Sequence, residues 1–217
     1  MIKMQTHMTD KMHLVFDLGG VVFRLDKMNA IRRFKEIGVT HVEDFLDDYA
    51  QKGIFGDLEA GRLTAEEYRD ELSHIVGKQL SMDELEYAWT GYAAELFQRN
   101  FDALLKLRHW GYRVALLSNT NPFMMRWARS EAFDGSGHGL DHYFDKLYLS
   151  YEMCMMKPSP EIFKAMLDGE QTAPDNVLFI DDSAQNCQVA SSLGIKTLNP
   201  ANGGDWRGDV FSIVGID

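Results

Sequence analysis

Three short apolar runs, HLVFD (13–17), YRVALLSN (112–119) and NVLFIDD (176–182), limit what this chain can fold into. Each is rich in Val, Leu and Phe and ends in polar residues. Runs of that kind read as strands buried on both faces, the environment of a parallel sheet. LYLS (147–150) and IKTLN (195–199) are weaker runs of the same type. Helical patterns lie between the later runs: FDALLKLRHW (101–110), SPEIFKAMLD (159–168) and SAQNCQVASSLG (183–194). Alternation of strand and helix predicts βαβ units and a doubly wound sheet.

Residues 27–98 break this alternation. No convincing strand is visible there, but capping-box patterns occur at Thr40–Glu43, Thr64–Glu67 and Ser81–Glu84. In such a box the hydroxyl accepts from a free N–H of the first helical turn while the Glu reaches back to the cap residue. The expected fold is therefore α/β: a three-layer, Rossmann-like parallel-sheet core built from residues 12–26 and 99–217, with an all-helical cap inserted at 27–98.

Composition narrows the function. The 217 residues carry 22 Lys plus Arg against 33 Asp plus Glu, a formal net charge of −11. That balance argues against nucleic acid as a partner, because counterion displacement needs a basic face. A −11 protein acting on an anion must build a local positive site from a metal, a Lys or helix N-termini. The two cysteines, Cys154 and Cys187, imply no disulfide framework and fit a reducing cytoplasm. No stretch approaches the ~20 apolar residues of a membrane span. The start, MIKMQTHMTDKMH, lacks a signal-peptide run, and residues 1–11 read as a loose tail with Met4, Met8 and Met12 as alternative starts. The chain is expected to be a monomer or a homodimer.

In open parallel sheets ligands bind at the carboxyl ends of the strands. The runs place Asp17, Ser118 with Asn119, and Asp181 with Asp182 at those ends, and Lys157 follows the fourth run after a short loop. Clustered acids repel, and a divalent cation is the usual remedy. An oxygen-rich site with few ligands suits Mg²⁺, which keeps several waters and bridges to a substrate phosphate.

These segments resemble the four motifs of the haloacid dehalogenase superfamily, in order and at fitting intervals. FDLGGVVF (16–23) is similar to the first, LLSNT (116–120) to the second, MKPSPEIF (156–163) to the third and FIDDSAQN (179–186) to the fourth. LSNTNPFMMRW and the DD pair bring the chain nearest to the bacterial α-D-glucose-1-phosphate phosphatases and the phosphatase domain of soluble epoxide hydrolase. The resemblance implies a Mg²⁺-dependent phosphatase of a small phosphorylated metabolite, a sugar phosphate being the first guess. Asp17 would attack phosphorus to form an aspartyl-phosphate. Asp17, the Gly19 carbonyl and Asp182 would hold the metal, with Asp181 either joining them or acting from behind. Ser118 and Asn119 would bond the phosphoryl oxygens and Lys157 would neutralise the developing charge. Gly19 and Gly20 would form the tight turn that lets backbone approach the phosphate.

One position departs from the pattern. Most phosphatases of this superfamily carry a second Asp two residues after the nucleophile, as general acid and then base; here it is Gly19. The glucose-1-phosphate phosphatases the chain resembles share that Gly. An activated substrate, or a substitute acid such as Asp26, Asp57 or Glu59, would account for it. Two competing functions remain: a metal-free C–halogen hydrolase of the same fold, and a non-catalytic protein that binds Mg²⁺ and phosphate. Arg24 and Arg126 read as surface ion pairs, Trp89, Trp110 and Trp127 as packing residues, and His138 with His142 lack the partners of a metal site.

Overall fold

The computed structural model describes residues 11–47 and 51–216, so the expected loose tail lies, apart from Lys11, outside the described residues. Each apolar run becomes a strand: β1 (His13–Phe16), β4 (Arg113–Ser118), β5 (Lys146–Leu149), β6 (Val177–Ile180) and β7 (Lys196–Leu198). They form one parallel sheet in the order β5-β4-β1-β6-β7, with β1 at its centre and Phe16 in register with Leu116 and Ile180. Alternate residues of the central strands feed opposite faces. Leu14, Phe16, Val114, Leu116, Leu178 and Ile180 enter one apolar core, and Val15, Ala115, Leu117, Val177 and Phe179 enter another. Two cores flanking one sheet make the three-layer arrangement.

Helices cover both faces: α5 (Gln98–His109), α6 (Pro122–Ala128), α7 (Ser150–Met153), α8 (Pro160–Glu170), α9 (Ala184–Ser192) and α10 (Arg207–Ile213). The chain leaves the core after β1 to build α1 (Lys27–Glu36), α2 (Gly53–Glu59), α3 (Ala65–Val76) and α4 (Met82–Trp89). These helices share an aromatic centre. The Phe55 ring lies 5.3 Å from Phe34, 5.3 Å from Tyr68 and 5.6 Å from Trp89, centroid to centroid. Tilted and edge-to-face contacts of this kind add to the area they bury.

Two features differ from the sequence reading. AAEL at Ala93–Leu96 forms a strand, β3, paired antiparallel with β2 (Phe23–Leu25) where the chain leaves and re-enters the core. Nothing in its composition signals a strand; the pairing imposes it. The box at Thr40 does not form. A short 3₁₀ turn at Val42–Asp44 follows His41 with no side-chain cap, and Glu43 pairs with Lys35 at 2.9 Å instead. The boxes at Thr64–Glu67 and Ser81–Glu84 close from both sides.

Ser81→Ala should therefore cost about 1 kcal/mol of stability and Thr40→Ala less than about 0.5 kcal/mol. Urea unfolding of the two variants measures this; equal losses would contradict the observed caps.

Candidate active site

Lys157 sits at the carboxyl edge of the sheet with its side chain 1% exposed. Its ammonium donates to Asp17 Oδ1 at 2.8 Å, Asp181 Oδ2 at 2.7 Å and the Leu117 carbonyl at 2.8 Å, so all three protons are used. Burial works against this charge, but Asp17 and Asp181 outweigh it and hold the lysine above its ordinary pKa. The loop carrying Lys157 is clamped by Asn119. The Asn119 Oδ1 accepts from the Lys157 N–H at 2.9 Å and its Nδ2 donates to the Lys157 carbonyl at 2.8 Å.

Asp181 is wholly buried and saturated. Besides Lys157, its Oδ1 accepts from the Ser183 N–H at 2.7 Å, and Asn186 Nδ2 donates to Oδ2 at 3.0 Å. Asp17 differs. Its Oδ1 accepts from Lys157 and from the Leu18 N–H at 2.7 Å, while among the described residues no hydrogen bond engages Oδ2. Burial raises the Asp17 carboxyl to about 6, with Lys157 opposing and Asp181 adding to the rise. Asp182 is raised to about 7 by burial, then by the charges of Asp17 and Asp181.

Ligand oxygens of Asp17, Asp181 and Asp182 lie within 4.8 Å of one another. Three carboxylates against one ammonium leave an excess of negative charge, and oxygen donors of this kind suit a hard divalent cation. The turn after β1 brings the Gly19 carbonyl to the same edge, its N-terminal side fixed by the Asp17 N–H on the Ile180 carbonyl at 2.8 Å. Gly20 closes that turn at φ 78°, and a Cβ there would lie 2.1 Å from Asp182 Oδ2. No other residue type leaves room for the Asp182 carboxylate.

A pocket opens over this edge, with about 650 Å³ of empty space counting its mouth. The core lines its floor with Asp17, Gly19, Ser118, Asn119, Lys157 and Asp182, and the helices between β2 and β3 line its roof with Glu59, Trp89 and neighbours. The structure thus brings together every strand-end residue that the sequence singled out. Of the three substitute acids, Asp26 caps α1 through the Asn29 N–H at 3.1 Å, and Asp57 pairs with Arg62 at 2.6 Å on the surface. Glu59 alone of the three faces the pocket. Burial raises its carboxyl to about 8, with the Asn121 amide pulling it down and the Asp17 charge adding to the rise.

Apart from Trp89, which lines the pocket roof, the remaining candidates stand away from the chemistry. Arg24 pairs with Glu95, Arg126 pairs with Asp83 and Glu86, and His138 bonds Asp134 while stacking on His142. Trp110 packs on Phe211, Trp127 on Phe23 and Phe133, and Trp89 on the aromatic centre beneath the pocket roof. Sequence reasoning misses the residues that pin the turn after Asp17. Buried Asn100 donates to the Val21 carbonyl at 2.9 Å and the Val22 carbonyl at 3.1 Å, and Trp206 Nε1 donates to Val21 at 2.9 Å. The polar residue in the apolar stripe of α5 is the one signal that could have exposed Asn100.

Known proteins share this fold and much of this sequence. Residues 11–194 match the model of the haloacid dehalogenase-like hydrolases. The chain belongs to that family. The D-ribitol-5-phosphate phosphatase of Bacteroides thetaiotaomicron is 43% identical over 202 residues, 93% of this chain and 98% of that one. A family hydrolase from Porphyromonas gingivalis superposes with a TM-score of 0.89 at 41% identity, covering 96% of this chain and all (100%) of the other. A family enzyme from B. thetaiotaomicron, solved with magnesium and inorganic phosphate, gives a TM-score of 0.83 at 41% identity over 91% of this chain and 98% of its own. Among the described residues no helix is long and apolar enough to cross a membrane.

Gly20→Ala should leave a folded protein whose Asp182 is displaced, lowering activity by roughly 10²-fold or more, as misplacement by about 1 Å does elsewhere. Steady-state turnover of the purified variant tests this, and wild-type activity would refute it. A second expectation concerns pH. Asp17, Asp182 and Glu59 have folded pKa values raised to about 6, 7 and 8. Their contribution to stability is complete below the unfolded carboxylate range and is lost as pH rises through those values. Calorimetry of the metal-free protein should show Tm falling from about pH 5 to about pH 8; a rising Tm over that window would be inconsistent with these shifts.

Proposed function

We propose that this chain is a magnesium-dependent phosphatase that hydrolyses a small phosphomonoester, a sugar or polyol phosphate, through an aspartyl-phosphate on Asp17. The observation that carries the reading is the state of Asp17. One carboxylate oxygen is fixed by Lys157 and the Leu18 N–H, and the other, with no hydrogen bond among the described residues, belongs to a residue lining the pocket. An oriented carboxylate beside a buried ammonium is what attack on phosphorus requires. Support comes from the named activity of the relative 43% identical over 93% of this chain, and from magnesium and phosphate in the relative of TM-score 0.83.

Asp17 and Asp182, with the Gly19 carbonyl, would hold Mg²⁺, which when bound polarises the phosphoryl group and shields the charge of these acids. The saturated Asp181 then serves Lys157 by orienting it. Asp17 attacks phosphorus, the ester oxygen leaves, and water later cleaves the acyl phosphate. Lys157 balances charge that builds on Asp17 and the phosphoryl oxygens. Ser118, 2% exposed at the end of β4, supplies a hydroxyl to those oxygens. Asn119 keeps Lys157 in place and leaves one amide proton for the phosphate. The roof from α2 to α4 limits water and meets the leaving group. Free thiols at Cys154 and Cys187 support a cytoplasmic setting. The metal-free C–halogen hydrolase reading is the weaker one, since three clustered carboxylates face one ammonium.

Phosphate release should be measured on ribitol 5-phosphate, glucose 6-phosphate, glucose 1-phosphate and p-nitrophenyl phosphate. Turnover should require Mg²⁺, stop in EDTA and drop by roughly 10⁴-fold or more in Asp17→Asn, as loss of a nucleophile does in other covalent enzymes. Equal activity in EDTA, or an active Asp17→Asn protein, would remove the proposal.

A further inference from the structure

We propose that Glu59 is the catalytic acid and base of this site, taking from the cap the role that a carboxylate at position 19 would otherwise fill. The inference deepens the phosphatase reading and rests on it.

Position 19 cannot supply the group. A Cβ on Gly19 would lie 2.8 Å from Leu25 Cδ2 and 3.0 Å from Leu25 Cδ1, so the Leu25 side chain occupies the space a longer residue would need. The Leu25 backbone is held in turn, its N–H and carbonyl both bonding the Asn202 side chain at 2.8 and 3.1 Å. Asp26 and Asp57 are committed to a helix cap and a surface ion pair. Glu59 is 6% exposed, pairs with no cation among the described residues, and lines the same pocket as Asp17.

The surroundings hold Glu59 in place from the core side. Ser150, wholly buried at the end of β5, donates its hydroxyl to the Glu59 carbonyl at 2.6 Å and accepts from the Thr120 N–H at 3.0 Å. This ties the last turn of α2 to the loop after β4 that carries Ser118 and Asn119. Asn121 completes the setting. Its Oδ1 is spent on the N–H groups of Phe123 and Met124, both at 3.1 Å, which fixes the orientation of the amide. Its Nδ2, at a residue 1% exposed, is left with no formed hydrogen bond. That amide is the polar neighbour of the Glu59 carboxyl, and it favours the ionised form. Burial meanwhile keeps the resting acid protonated near neutral pH, as its rise to about 8 indicates.

The two halves of the reaction then balance. As a bond forms between an Asp17 oxygen and phosphorus, the P–O bond to the alcohol breaks, and the Glu59 proton passes to the departing oxygen. The Glu59 carboxylate, stabilised by the Asn121 amide, next takes a proton from the water that attacks phosphorus. The P–O bond to Asp17 breaks, phosphate is released, and both carboxyl groups return to their starting states.

The test compares leaving groups in Glu59→Gln, which keeps size and removes the proton. With ribitol 5-phosphate, a poor leaving group, kcat/KM should fall by roughly 10²–10⁴-fold. With p-nitrophenyl phosphate the first half should survive while the second stalls, giving a nitrophenolate burst and a phosphorylated enzyme on acid quench that Asp17→Asn abolishes. Equal losses on both esters with no trapped phosphoenzyme would overturn the role of Glu59 and leave the phosphatase standing. A wild-type protein that hydrolyses neither ester would overturn both. If Glu59→Gln does not fold, Glu59→Ala with added formate replaces it. Recovery of ribitol 5-phosphate turnover that rises with formate supports the proposal, and its absence overturns it.

Discussion

The site depends on one buried ammonium. Lys157 is reached by Asp17 from β1, by Asp181 from the end of β6 and by the Leu117 carbonyl of β4. These three strands are adjacent in the sheet, so a single cation adds a side-chain link across three strand ends that the backbone ladder already holds in register. Buried charges are tolerable only when paired and fully hydrogen-bonded, and the neighbourhood is arranged to that end. Asn119 holds the lysine backbone, and Ser183 with Asn186 satisfies the rest of Asp181. Asp17 and Asp182 keep the uncompensated part of the charge, where a cation and a phosphoryl group can use it.

Labour is divided between the two parts of the chain. In the proposed function the core carries the groups that act on phosphorus, and their geometry follows from strand order and the turn after β1. In the same proposal the helices between β2 and β3, whose Glu59 and Trp89 line the pocket, meet the alcohol. Their shared aromatic centre of Phe34, Phe55, Tyr68 and Trp89 makes the roof a packed body, so Glu59 and Trp89 keep their places relative to each other.

Much of this was readable before the fold was seen, for a physical reason. Strands buried on both faces must be continuously apolar, so their ends mark themselves, and ligands of open sheets gather at one set of ends. Asp17, Ser118, Asn119, Asp181 and Asp182 follow from that rule, with Lys157 in the short loop after the fourth run, and the resemblance adds their roles. What escaped depends on contacts distant in sequence. Asn100 and Trp206 reach back to Val21 from 79 and 185 residues away. The strand at Ala93–Leu96 exists because Phe23–Leu25 is beside it, and Thr40 fails as a cap because the chain turns before a helix can grow. Glu59 could be named among three acids but not chosen, because the choice lies in how α2 docks against Ser150.

The pairing of β2 with β3 bears on how such a protein can change. Arg24 and Glu95 face each other across a two-stranded ribbon, so both ends of the inserted segment lie side by side. The core therefore spans the same short gap however many residues the excursion contains, and loop-closure entropy grows only slowly with that number. The ribbon thus gives the roof two fixed anchor points, and a change of length between them leaves the register of the sheet beneath untouched.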